Sequence, residues 1–104
     1  MLNFLKGLLG TETNTDIREL VENGALLVDV RTPDEFRAGH LKGAINIPLG
    51  TIANNLNRLQ KHGGPLVAYC RSGQRSRMAV SEMQALGLEA VNGGGIGDLK
   101  ALGL

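Results

Sequence analysis

Cys70 is the only cysteine among 104 residues, so its neighbours decide what a lone thiol can do. It closes the apolar run Pro65-Leu66-Val67-Ala68-Tyr69 and opens the polar stretch Arg71-Ser72-Gly73-Gln74-Arg75-Ser76, after which an amphipathic segment begins. Strand, loop and helix in that order would place the sulfur at the mouth of a ring of backbone N–H groups. They would also place it at the positive end of a helix and beside the guanidiniums of Arg71 and Arg75. All three effects favour the thiolate. A free cysteine titrates near ~8.5, and helix N-termini with basic neighbours lower that to roughly 3.5–7.5. A depressed pKa is therefore expected of Cys70. The competing reading is an inert cysteine buried at a strand end, as free cysteines often are. Arg-Ser-Gly-Gln-Arg-Ser would be odd packing for such a residue, and the thiol is read as a nucleophile.

Composition narrows the surroundings of that thiol. A single cysteine excludes an internal disulfide and any Cys-rich metal site, and His40 and His62 cannot complete a zinc site with it without carboxylates. No metal and no cofactor are expected. A reactive thiol is easiest to keep in a reducing compartment, which points to the cytoplasm. The net charge is +1, from 11 basic and 10 acidic residues, so no general field exists to attract nucleic acid or a membrane. Hydrophobic residues at 42% and charged residues at 20% describe an ordinary globular chain of one-domain size.

Residues 1–10, Met-Leu-Asn-Phe-Leu-Lys-Gly-Leu-Leu-Gly, form a short apolar segment distinct from the single domain expected over 11–104. The segment is too short to span a bilayer and lacks the basic start and small-residue cleavage site of a signal peptide. Its apolar spacing fits one face of a helix packed on its own domain, with self-association or membrane-surface contact as the alternative.

The rest of the chain reads as alternating helices and strands. Asn14 or Thr15 is placed to cap a helix carrying Ile17, Leu20 and Val21, which Asn23-Gly24 stops. Ala25 to Val30 is apolar except for Asp29, as in a strand buried on both faces. Thr32-Pro33-Asp34-Glu35 combines a cap, a proline at the first helical position and a capping-box glutamate, and Gly39 ends that helix. A short strand over 44–47 is stopped by Pro48. Ile52, Leu56 and Leu59 mark a helix ending at His62-Gly63-Gly64. Leu66 to Tyr69 is the next strand, and Ser76 to Leu86 a helix offering Met78, Ala79, Met83 and Leu86 to the core, with Gly87 as its stop. Glu89 to Val91 is the last strand, after which Asn92-Gly93-Gly94-Gly95 turns into a short final helix. This alternation predicts an α/β three-layer α/β/α sandwich around a mainly parallel sheet. Ligands in such sheets collect beyond the carboxyl ends of the strands, where Cys70 lies.

At this point the chain resembles the rhodanese-like sulfurtransferases over roughly residues 15 to 102. The resemblance is carried by Leu27-Val28-Asp29-Val30-Arg31, Glu35-Phe36, Gly39-His40-Leu41 and Gly43-Ala44-Ile45-Asn46-Ile47-Pro48. Tyr69 to Ser76 looks like the active-site loop of that family, and Gly93-Gly94 like its late glycine pair. The resemblance implies that Cys70 attacks the outer sulfur of a small anionic donor such as thiosulfate, releases sulfite and holds the sulfur as a persulfide. An external acceptor, cyanide or a thiol that can belong to a protein, then removes it. It further implies that the loop from Arg71 through Ser72, Gly73, Gln74 and Arg75 to Ser76 binds the substrate, its N–H groups holding the anionic sulfur and Arg71 or Arg75 neutralising the donor. Many relatives carry a tryptophan soon after the glycine pair, whereas this chain has Gly95-Ile96-Gly97-Asp98-Leu99 and no tryptophan.

Two other functions compete. Cys-based phosphatases and arsenate reductases separate cysteine and arginine by five residues, but four lie between Cys70 and Arg75, and Tyr69 stands where those phosphatases usually place histidine. The smaller ring suits one sulfur atom better than a tetrahedral phosphate. The second alternative is a persulfide carrier or regulatory module that docks to a partner protein without turning over small donors. Among the remaining polar residues, Asp29 and Arg31 are expected to form a structural ion pair. His40 is expected to steady its loop through Glu35, and His62 to be solvated at a helix C-terminus.

Overall fold

A computed structural model of the chain describes residues 14–104. The expected helix at 1–10 and the side-chain cap at Asn14 or Thr15 lie outside what it describes. Helix α1 spans Asn14–Glu22, strand β1 Leu26–Asp29, helix α2 Pro33–Ala38 and strand β2 Ile45–Asn46. A 3-10 turn at Ala53–Asn55 leads into α3 at Leu56–His62. Strand β3 at Leu66–Cys70, helix α4 at Gln74–Ala85, strand β4 at Ala90–Gly95 and helix α5 at Ile96–Ala101 complete the order.

The four strands pair in parallel in the order β2-β1-β3-β4. Alternating residues sort the core onto two faces, as the period of a strand requires. Val28, Val30, Leu66, Ala68 and Cys70 face Ile52, Leu59, Ala79 and Met83 on one side. Leu27, Val67, Tyr69 and Val91 face Ile17, Leu20 and Leu99 on the other. Helices thus cover both faces, and the three layers expected from the sequence are present. Leu99, in the segment where relatives carry tryptophan, is buried and gives α5 its anchor.

Chain reversal about β1, with β2 on one side and β3 on the other, creates a switch point at the carboxyl ends of β1 and β3, where open α/β sheets bind ligands. Charged groups that end β1 there are satisfied locally. Asp29 is fully buried and takes Arg31 Nε at 3.0 Å and Arg31 Nη2 at 2.6 Å, while Arg31 Nη2 also donates to the Gly39 carbonyl at 2.7 Å. The structural ion pair is borne out. Asn46 Nδ2 donates to the carbonyls of Asp29 and Arg31, both at 3.0 Å, and so ties β2 to the same corner.

Three local expectations are corrected. The α4 helix starts at Gln74 instead of Ser76, so Gln74 and Arg75 belong to its first turn instead of preceding it. Met78 is 59% exposed, and Val80 takes the core position, because the face of α4 that packs on the sheet runs through Ser76, Ala79, Val80 and Met83. Strand β4 runs on through Asn92-Gly93-Gly94-Gly95, which was expected to turn. Ala68 pairs with Asn92 and Tyr69 with Gly94, so Gly93 is the extra residue of a bulge. A Cβ on Gly93 would meet Val67 Cγ1 at 2.8 Å, which explains a glycine inside a strand.

Candidate active site

Cys70 is the last residue of β3, and its sulfur faces the α4 side of the sheet with no exposed surface. Gly73, the residue before α4, has φ 94°, a left-handed conformation that favours glycine. The turn it makes brings its N–H back to Cys70 Sγ at 3.0 Å. Ser76 N–H reaches the same sulfur at 3.4 Å, and Ser76 Oγ lies 3.4 Å from it. Burial pushes the Cys70 thiol up. The Ser76 hydroxyl and the N–H groups of Ser76, Ser72 and Gly73 outweigh it, and the pKa lies below the ordinary thiol value. The depressed pKa expected from the sequence is present, with hydrogen bonds as its main source.

The two arginines of the loop part company. Arg75 is engaged by Glu35 of α2, Nη1 to Oε1 at 2.7 Å and Nη2 to Oε2 at 3.0 Å, a paired geometry specific to guanidinium and carboxylate. Glu35 also accepts from the Thr32 N–H at 3.0 Å as the capping-box residue of α2. The Arg75 guanidinium, followed by the Thr32 N–H, lowers the Glu35 pKa to about 2. Arg71 and Ser72 are exposed, as is Gln74, and Gly73 is half-buried. Among the described residues Arg71 has no carboxylate partner, while Arg75 acts as a strut between α2 and α4.

Two residues at the site were not singled out from the sequence. Asn92, on β4, donates Nδ2–H to the Gly73 carbonyl at 3.1 Å and accepts at Oδ1 from Ser76 Oγ at 2.7 Å and from Gly94 N–H at 2.9 Å. Glu35 was read as a cap, as a partner for His40 and as part of the family signature, but not as a partner of the loop. His40 in fact pairs Nδ1 with the Phe36 carbonyl at 2.8 Å and stacks on the Phe36 ring, so the expected contact with Glu35 is replaced by one to the next residue of α2. His62 is exposed at the end of α3, and its Nε2 lies 3.0 Å from the Gly24 carbonyl. Tyr69 is wholly buried, where it accepts the Leu41 N–H at 3.1 Å, and burial raises its pKa. Among the described residues, no group of three or more His, Cys, Asp or Glu is placed to hold a metal, and no helix is long and apolar enough to cross a membrane.

A parallel sheet with a buried cysteine at its carboxyl edge, its sulfur faced by backbone N–H groups, defines the class of domain. The family model for the rhodanese-like domain matches residues 13–96, and the chain belongs to that family. It is 33% identical over 93 residues to "Thiosulfate sulfurtransferase 18" of Arabidopsis thaliana, covering 75% of this chain and 68% of that protein. It is 34% identical over 65 residues to "Putative sulfur carrier protein YrkF" of Bacillus subtilis, covering 62% of this chain and 35% of that one. The crystal structure of a rhodanese-related protein from Thermoplasma volcanium superposes with a TM-score of 0.73 at 30% identity, covering 86% of this chain and 89% of that one. The chain spans about half the length of several curated relatives it matches.

Proposed function

We propose that this chain is a sulfurtransferase that carries a sulfane sulfur on Cys70. The thiolate attacks the outer sulfur of a thiosulfate-like anion, the S–S bond of the donor breaks, and sulfite leaves with the bonding pair. An external thiol or cyanide then attacks the outer sulfur of the persulfide and Cys70 leaves as thiolate. This is nucleophilic covalent catalysis without a dedicated general base, because the surroundings of the nucleophile favour its ionised form. The observation that carries the reading is the Gly73 N–H at 3.0 Å from Cys70 Sγ, joined by Ser76 N–H, in a loop with only four residues between Cys70 and Arg75. Such donors stabilise negative charge on sulfur without reorganising during the reaction. Arg71 supplies the mobile charge for the donor oxyanion. A reducing compartment such as the cytoplasm suits the free thiol.

The test is intact-mass measurement after incubation with thiosulfate. Wild-type protein should gain one sulfur atom on Cys70, and cyanide should remove it as thiocyanate. Cys70→Ser should gain nothing while keeping the wild-type fold by circular dichroism. A Cys70→Ser protein that still turns over thiosulfate would refute the assignment. The carrier alternative draws support from the sulfur-carrier name of one relative. It predicts that Cys70 accepts persulfide from a protein donor but shows no turnover with thiosulfate and cyanide.

A further inference from the structure

Ser76 is fully buried, and its hydroxyl has one proton for two neighbouring acceptors, Asn92 Oδ1 at 2.7 Å and Cys70 Sγ at 3.4 Å. The sulfur does not keep one charge through a sulfur-transfer cycle. Once the thiol is ionised the sulfur is an anion, and as the inner atom of a persulfide it is uncharged. When the sulfur is anionic it needs the hydroxyl proton. When it is neutral, a buried hydroxyl aimed only at it would lack a good acceptor, and an unsatisfied buried donor is costly. Asn92 is built to receive the proton in that second state. Its Oδ1 has two lone pairs, and Gly94 N–H at 2.9 Å keeps one engaged whichever way the hydroxyl points. Its Nδ2 is held by the Gly73 carbonyl at 3.1 Å, so the carboxamide cannot turn away.

We propose that Asn92 is a positioning residue that gives the Ser76 hydroxyl a second acceptor, so that the hydroxyl donates to Cys70 Sγ when the sulfur is charged and to Asn92 Oδ1 when it is neutral. Only the hydroxyl rotates, and no proton leaves Ser76. The place of this rotation in a catalytic cycle rests on the reading of Cys70 as a sulfur carrier, but the rotation itself can be measured without any sulfur donor. As the acceptor thiol or cyanide takes the outer sulfur, charge returns to Sγ and the hydroxyl swings back to meet it.

The experiment is a pH titration of Cys70 thiolate absorbance in the full chain, where one cysteine gives one signal. Ser76→Ala is measured in three backgrounds: wild type, Asn92→Ala and Asn92→Asp. In the wild-type background the substitution should raise the midpoint by about one unit, a tenfold loss of thiolate, the size expected for one hydrogen bond to a charged group. In the Asn92→Ala background the hydroxyl has only the sulfur left, and the shift should grow. In the Asn92→Asp background a carboxylate holds the hydroxyl, and the shift should shrink toward zero. Equal shifts in all three backgrounds would overturn the proposal, since a merely structural Asn92 leaves the Ser76 effect unchanged. If one Asn92 variant fails to fold, the other still tests the order against wild type. A correct order in a protein that forms no persulfide would uphold the hydroxyl switch while refuting the proposed function.

Discussion

A single methyl group at Gly95 should raise the Cys70 pKa although it touches neither the sulfur nor its donors. Gly95 pairs in register with Cys70, and a Cβ there would lie 2.5 Å from the Arg71 carbonyl oxygen and 3.2 Å from its carbon. Cβ atoms essentially never come closer than 3.0 Å to another heavy atom, so something must move by at least ~0.5 Å. Both strands are locked into the sheet, which leaves the loop to give way. Displacing Arg71 outward by that amount lengthens the Gly73 N–H contact to Sγ from 3.0 Å to about 3.5 Å, beyond the 3.4 Å of the Ser76 N–H and long enough to weaken the bond without breaking it. A whole hydrogen bond to a charged group is worth about 1.5–3 kcal/mol, so losing about half of one corresponds to about half to one pKa unit on Cys70. Overpacking adds about 1–3 kcal/mol of lost stability. The folded thiol pKa lies below the unfolded value of about 8.5, so its stabilisation is fully present above that pH and fades as pH falls through the folded pKa. Gly95→Ala should therefore lose most stability, relative to wild type, at alkaline pH. Thiolate absorbance against pH gives the midpoint, and the single tyrosine does not interfere because burial raises its own pKa. Gly97→Ala is the control: a Cβ there meets nothing within 4 Å, and the substitution should stabilise the chain by about 0.4–1 kcal/mol without moving the midpoint. A Gly95→Ala protein with the wild-type midpoint would refute the claim that β4 holds the loop against the sulfur.

Three further outcomes follow from the same geometry. Arg71→Ala should raise KM for thiosulfate about tenfold with little change in Tm, whereas Arg75→Ala, which unpairs Glu35, should lower Tm and slow charged and uncharged sulfur donors alike; steady-state kinetics with both donor types and a thermal melt separate the two. With Glu35 lowered to about 2, the stability its clamp contributes should be full above the unfolded carboxylate value of about 4.3 and be lost as pH falls through about 2; the gap in denaturation midpoint between wild type and Glu35→Gln should close over that window, and a gap that persists below it would be contrary evidence. Tyr69→Phe should orphan the buried Leu41 N–H and cost about 1–3 kcal/mol in urea unfolding, leaving the thiolate titration unchanged.

The parts legible in the sequence were those governed by local chemistry. Thr32, Pro33 and Glu35 start a helix wherever they occur in that spacing, and the structure has the complete capping box. The apolar runs 25–30 and 66–69 announced a two-faced parallel sheet, and the turn after Cys70 announced the N–H groups that face its sulfur. What escaped is what depends on residues distant in sequence. Glu35 and Arg75 stand 40 positions apart, and nothing in either segment alone says that the capping carboxylate also occupies an arginine of the reactive loop. Asn92 sits among glycines that look like a turn. It is a strand residue only because β3 supplies a ladder and the Gly93 bulge absorbs the surplus residue. Val80 and not Met78 meets the core because α4 packs on the sheet through Ser76, Ala79, Val80 and Met83, a face fixed by contact with distant strands.

The complete burial of Cys70 has a consequence for recognition. An S–S bond is about 2.05 Å long, so a sulfur added to Sγ stands that much further out than the thiol it replaces. On the proposed function, a domain whose bare thiol shows a visiting protein no sulfur surface would hold its cargo about 2.05 Å from that buried atom once loaded. Loading status would then be written into the shape of the domain, and a partner could distinguish a charged carrier from a spent one before any bond is made or broken.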